Sequence, residues 1–204
     1  LFNIRLETTL VLPQKAGQEL RIGLRTGDKK LYVIKDIRRF LAGVDAEESM
    51  QLGKDMVYQP EWMHYSEEDE RILNLLRKLC SAQDTGERIS GASRLMRLPD
   101  LFAEELLEMI GSDSLRVMDQ SGRISHCRPV IGAPVPIHFV INLGPRGMQV
   151  SAKIPADLEP VTADCAWVMT GGSLIRTQKE QAGILRLISE NQYEGRCLME
   201  YPLQ

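Results

Sequence analysis

The chain has 204 residues, 43% hydrophobic and 26% charged, with a formal net charge of -3. That is ordinary globular usage, which excludes a disordered or fibrous chain and allows one large domain or two small ones. Aromatics are only 5%, so the core must rest on Leu, Ile, Val and Met, and the near-neutral balance of the whole chain does not itself point to nucleic acid or membrane.

In chain order, residues 2–12 (FNIRLETTLVL) predict a strand, and Pro13 to Gly17 a loop. Leu20 to Leu24 alternates as a second strand. Thr26 to Lys29 (TGDK) predicts a hairpin turn, and Leu31 to Ile34 the return strand. Asp36 is placed to cap a short helix, IRRFLAG, that Gly43 would stop. Asp45 to Tyr65 is acidic and irregular. HYSEEDERILNLLRKLC then gives a helix with Ser66 as N-cap and a buried stripe of Ile72, Leu75, Leu76 and Leu79. Glu67, Glu68, Asp69 and Glu70 at its start suit the positive end of the helix dipole.

SAQDTGERISGAS predicts a flexible stretch, and a second helix begins at Pro99 or Asp100 and ends at Gly111. Three hairpins follow: LRVMD-QSG-RISHCRPVI, PIHFVINL-GPRG-MQVSAKIP and AWVMTGGSLIRT. A final amphipathic helix uses Ile184, Leu185 and Ile188. The expected fold is α+β, mainly antiparallel sheet, with two β-hairpin-plus-helix units flanking a central helix pair. The two units can be matched at Thr26-Gly27 and Thr170-Gly171, though a hairpin followed by a helix is common enough to recur by chance. The organisation expected is one region over 1–204, with sub-units 1–44, 45–112 and 113–204.

No apolar run approaches the roughly 18 residues of a membrane span. Cys80, Cys127, Cys165 and Cys197 form no C-x-x-C pair and are expected as reduced thiols in a cytoplasmic protein. The chain opens at Leu1 and enters a strand at once, which leads to the expectation of a piece of a longer protein.

Catalytic motifs are absent or incomplete. Gly53-Lys54 is followed by Asp55 and lacks the hydroxyl of a phosphate loop. Gly91-Ala92-Ser93 supplies only half of a serine nucleophile motif. His126 and Cys127 are strand neighbours that point to opposite faces, while His64 and His138 stand alone, so no metal set is expected. Charge is uneven, however. Residues 1–44 hold nine Lys and Arg against four acids, while 45–70 are strongly acidic. Arg21, Arg25, Lys29, Lys30, Lys35, Arg38 and Arg39 are therefore candidates for a basic, phosphate-facing surface. The competing expectation is a solvated face, or one paired internally with the acidic segment.

LRIG, KLYVIKDIRRFL, LGKDMVYQPE and YSEEDERIL run in that order from Leu20 to Leu76. Together with RLPDLFAEELLEMI and CAWVMTGGSLIRTQKEQAGIL they make the chain resemble the bacterial Swi/Snf-type helicase-associated domain. The resemblance implies an accessory region with no catalytic residue, metal or cofactor of its own. It also implies a zinc finger and two motor lobes outside this chain, acting as partners in cis, with ATP and magnesium bound by the motor and double-stranded DNA as its track. The chain itself is then expected not to be an enzyme. The alternative is a protein-interaction module without nucleic-acid contact, which a contiguous apolar surface patch would favour.

Overall fold

Among the described residues, thirteen strands and helices build the first of two compact units, Leu1–Arg128, and eight build the second, Pro129–Gln204. The computed structural model describes residues 2–14, 18–83, 94–110, 115–145, 147–190 and 197–202. The first unit runs β1 (Phe2–Asn3), β2 (Arg5–Val11), β3 (Arg21–Gly27), β4 (Leu31–Val33), α1 (Ile37–Asp45), β5 (Met50–Gly53), β6 (Met56–Tyr58) and β7 (Met63–His64). It continues with α2 (Glu67–Gln83), β8 (Leu95–Arg97), α3 (Asp100–Met109), β9 (Leu115–Met118) and β10 (Ile124–His126). Its main sheet has the order β10-β9-β2-β3-β4, with β8 also paired to β3. The protein is α+β and its sheets are mostly antiparallel; in the first unit β1–β7 and β2–β9 are parallel pairs.

Alternation sorts the residues of the main sheet onto two faces. Leu6, Leu10, Ile22, Leu24, Leu115 and Val117 point to one face and are buried. The helices bury matching stripes: Ile37, Phe40 and Leu41 in α1, Ile72, Leu75, Leu76 and Leu79 in α2, Ala103, Leu106 and Leu107 in α3. Each large side chain so buried contributes roughly 1.5–3 kcal/mol. This stripe of α2 is the one the sequence predicts, with Leu73 added.

One edge of the first strands is satisfied in relay. Phe2 N donates to Trp62 O at 2.6 Å and Ile4 N to His64 O at 3.0 Å, both from the β7 segment. Leu6 N donates to the Asp69 carboxylate (Oδ2, 3.3 Å). Thr8 to Val11 then pair with β9, and Leu12 N donates to Met118 O at 3.0 Å. Asp69 thus spans the gap between two parallel neighbours. Its own N–H donates to Ser66 Oγ at 3.1 Å, so Ser66 caps α2 as predicted. Beside it the Tyr65 hydroxyl meets Thr26 Oγ1 at 2.8 Å, and Thr26 passes its own proton to Arg5 O at 3.0 Å.

Several predicted boundaries move. The strand over 2–12 breaks at Ile4, where its partner changes from β7 to the main sheet. The first hairpin turns at Asp28–Lys30, since Gly27 is still paired with Leu31. Asp36 caps α1 as expected, accepting from Arg39 N at 3.0 Å. Gly43 does not stop that helix, which continues to Asp45; a Cβ there would overlap Met50 Sδ, so the glycine serves packing. The segment 45–65 is not irregular: it contains β5 and β6 as a hairpin, and β7. Most of the predicted flexible stretch, 84–93, and the stop at Gly111 lie outside the described residues.

The second unit runs β11 (Pro129–Ile131), β12 (His138–Gly144), β13 (Gly147–Lys153), β14 (Glu159–Pro160), β15 (Trp167–Thr170), β16 (Ser173–Arg176), α4 (Lys179–Glu190) and β17 (Cys197–Pro202). Its sheets are β11-β16-β15-β14 and β12-β13-β17. Val135, Cys165, Val168, Ile175 and Leu185 form its core. Leu185 and Ile188 of the predicted stripe are buried, and Ile184 is half-buried. The β15–β16 turn has Gly171 and Gly172 at φ 57° and 75°, which glycine adopts without a Cβ penalty.

Both hairpin-plus-helix units exist, as β3-β4-α1 and β15-β16-α4. The Thr-Gly match between them does not survive. Gly27 ends a paired strand ahead of a three-residue loop, while Gly171 is itself the first residue of a two-residue turn. The helix pair α2–α3 packs within the first unit.

Burial pushes the Asp69 carboxyl above its ordinary value of 3.8, against hydrogen bonds from Ser66 and Leu6 that pull it down. The folded chain therefore holds this proton to higher pH than the unfolded chain, and this group's contribution to stability falls as pH rises through the interval between the two values. Asp69→Asn removes that dependence. Chemical-denaturation curves should show the variant gaining stability relative to the parent as pH rises through the ordinary carboxylate value and above it; a loss as pH rises would contradict the assignment. Asp69→Leu, which leaves Leu6 N–H without its acceptor, should cost about 1–3 kcal/mol.

Candidate nucleic-acid interface

The second face of the main sheet is basic. Along β2 and β3 the opposite face carries Arg5, Glu7, Thr9 and Val11, then Arg21, Gly23, Arg25 and Gly27, of which Glu7, Val11, Gly23 and Gly27 are buried. Cross-strand register adds Arg116, beside Thr9, and Arg97, directly opposite Arg21. Five arginines thus share one face with the carboxylate of Glu7, and Glu19 reaches in from the preceding loop to Arg97.

They are not equivalent. Arg25 Nη1 and Arg116 Nη1 both donate to Glu7 Oε1, at 3.0 and 3.2 Å, and the Glu7 side chain is only 8% exposed. Two guanidinium groups converging on one nearly buried carboxylate form a fixed node. Arg5 Nη2 donates to Asp28 O at 3.2 Å, tying this face to the hairpin loop. Arg97 meets Glu19 at 2.5 Å, but both side chains are more than half exposed, so solvent screens this pair. The Arg21 guanidinium has no partner among the described residues. Like charges directly opposite each other across strands repel, and Arg21 against Arg97 is such a pair.

The seven residues singled out from sequence do not form one surface. Arg21 and Arg25 lie on the basic face. Lys29 and Lys30 are exposed in the loop that follows β3, with Lys30 Nζ 5.1 Å above the Tyr32 ring. Lys35 is exposed ahead of α1. Arg38 turns toward α2, where Nη1 lies 3.5 Å from Cys80 O near that helix's C-terminal end, and Arg39 is exposed on α1. The last two belong to the helical layer. Three members of the face, Arg5, Arg97 and Arg116, are not among the seven, and Arg97 and Arg116 arrive on β8 and β9, far along the chain. The signal available for Arg116 is the alternation in LRVMD, which puts Leu115 and Val117 inward and Arg116 outward.

The ion pair described for the acidic segment is made by an arginine outside residues 1–44. Arg77 of α2 meets Asp45 at 2.6 Å, whereas the basic sheet face draws its carboxylates from Glu7 and Glu19. Among the described residues no group of three or more His, Cys, Asp or Glu is arranged to hold a metal, and no helix is long and apolar enough to cross a membrane. His126 is exposed and Cys127 is buried. No family model, curated protein or solved structure matches the chain.

Glu7 is the keystone of this face. Glu7→Gln should lower unfolding free energy by about 1.5–3 kcal/mol, the scale of hydrogen bonds to charged groups. Urea denaturation of the full chain measures it, and an unchanged midpoint would mean that the two arginines hold each other's place without the carboxylate.

Proposed function

We propose that this chain is a non-catalytic accessory domain of a Swi/Snf-family ATP-dependent DNA helicase or translocase. It regulates or positions the motor and guides duplex DNA across the basic face of its main sheet. The family assignment rests on the sequence resemblance, and the observation that carries the DNA contact is Arg21 held opposite Arg97. Each has no internal partner or an exposed, screened one, and a phosphate between them would relieve their repulsion. Lys29 and Lys30 carry the positive field to the loop at the other end of β3. Arg25 and Arg116 are compensated by Glu7 and act as support. ATP and magnesium belong to the motor, outside this chain, whose lobes and zinc finger are its partners in cis.

Arg21→Glu with Arg97→Glu in the intact motor protein should weaken duplex binding similarly for unrelated sequences. It should also shallow the slope of log affinity against log salt by about 0.9 for each phosphate no longer neutralised. Unchanged affinity and slope would remove the guiding role. Deleting the domain should change the DNA-stimulated ATPase rate; the same rate with and without it, in cis and in trans, would remove the regulatory one.

A second reading has its own observation. Strand β12 is an edge strand of the β12-β13-β17 sheet, and Phe139, Val140, Ile141 and Leu143 along it are all exposed, Leu143 at 80%. An apolar, uncharged edge favours addition of an extended segment from a partner protein. Under that reading Val140→Lys with Leu143→Lys abolishes association of the domain with the motor lobes in size-exclusion binding assays, and Arg21→Glu has no effect on it. The reverse pattern would favour the basic face.

A further inference from the structure

The hairpin loop Asp28–Lys30, between β3 and β4, carries two lysines past the end of the basic face. Both are exposed, and neither ammonium meets a carboxylate among the described residues. Surface loops are ordinarily more mobile than the elements they connect. The backbone beneath these lysines is instead pinned from three directions.

Cross-strand register puts Arg5 and Leu31 on either side of Gly27. Arg5 Nη2 donates to Asp28 O at 3.2 Å, at the start of the loop. Arg25 Nη2 donates to Leu31 O at 3.4 Å, just past its end, while Nη1 of the same side chain holds Glu7. The backbone of Arg5 is itself fastened, because the buried Thr26 donates from Oγ1 to Arg5 O. Gly27 supplies the third constraint. A Cβ there would overlap Lys30 O, so the loop closes over the space that a side chain would fill. Lys30 Nζ then lies 5.1 Å from the centre of the Tyr32 ring, within cation–π range.

These clamps differ from ion pairs in one respect. A carbonyl oxygen carries no net charge, so a guanidinium bonded to it orders the chain and keeps its own positive charge. A loop ordered in advance also loses less conformational entropy when its side chains meet a ligand.

We propose that Arg5, aided by Arg25, is a positioning residue that holds the Asp28–Lys30 loop so that Lys29 and Lys30 form a second, preorganised phosphate contact. The inference rests on the DNA reading given above and adds a division of labour to it. Arg21 and Arg97 meet phosphate at one end of β3, the two lysines meet it at the other, and Arg5 acts through the loop. The ends of β3 are roughly 20 Å apart, more than twice the screening length of about 8 Å at physiological salt, so the two contacts act independently.

The test is a double-mutant cycle on the full-length protein, reading affinity for a short DNA duplex over a salt series. Lys29→Ala with Lys30→Ala should weaken binding roughly tenfold, the scale of one hydrogen bond to a charged group. It should also shallow the salt slope by about 0.9 for each phosphate no longer neutralised. Gly27→Ala, which changes no charge, and Arg5→Gln should each weaken binding roughly fivefold in the parent and cause no further loss once both lysines are gone. Arg5→Gln adds no atoms to the turn and carries the cycle alone if Gly27→Ala does not fold. Parent-like affinity in the double-lysine variant, or losses by Arg5→Gln that persist without the lysines, would overturn the assignment. Arg21→Glu with Arg97→Glu separates it from the DNA reading. A loss there with none at the lysines keeps the sheet face as the contact and strikes out the loop, whereas no loss at either end of β3 strikes out DNA binding and the loop with it.

Discussion

The first unit depends on how the N–H groups along one edge of residues 2–12 are satisfied. Donors on that edge must find acceptors once the sheet is packed, because an unpaired buried N–H costs as much as a lost hydrogen bond. No single strand covers the edge. The β7 segment takes Phe2 and Ile4, β9 takes the stretch from Thr8, and the Asp69 carboxylate takes Leu6 in between. This junction fixes three things together: the parallel return of β9 after the whole helical middle, the seat of the α2 N-terminus against the sheet, and the line where alternation sends Leu6 inward and Arg5 and Glu7 outward. The basic face exists because this register is held; a slip of one residue would exchange the faces.

Local patterns were legible where local physics decides. Asp36 and Ser66 cap their helices, the stripe Ile72, Leu75, Leu76 and Leu79 is buried, and Gly171-Gly172 makes a tight turn. What failed was set by distant partners. The break at Ile4 comes from a change of neighbour, which alternation within one strand does not encode. Gly43 resembles a helix stop because glycine often ends helices, but Met50 occupies the space a side chain would need. The acidic segment 45–65 hides two short strands and a parallel bridge of two residue pairs, too brief to show a period. Asp69, one of four acids at a helix start, reads as dipole compensation; only the fold shows it buried and bonded to another strand.

The basic surface was half legible for the same reason. Charge density along 1–44 marks one stretch of chain, yet a sheet face is assembled across strands. Arg21 and Arg25 are there by alternation, whereas Arg97 and Arg116 come from β8 and β9, and Arg38, close in sequence, goes to α2. Compositional asymmetry located the region, and register selected its members.

Pairing then sorts those members by what they can do. Glu7 is nearly buried and binds two arginines through one oxygen, so its neighbours are held in place and their charge is largely spoken for. Arg21 and Arg97 sit farther along the same sheet, where the carboxylate that reaches in is the exposed Glu19. A sheet shaped only for stability would place opposite charges in that cross-strand position, since each such pair contributes up to about 1 kcal/mol and a like pair opposes folding. The departure from that rule falls where the face opens to solvent, at the end of β3 away from the Lys29 and Lys30 loop. Fixed positive charge is thus kept where it can meet an anion and neutralised where it would only strain the fold, and that distribution is what the proposed recognition surface requires.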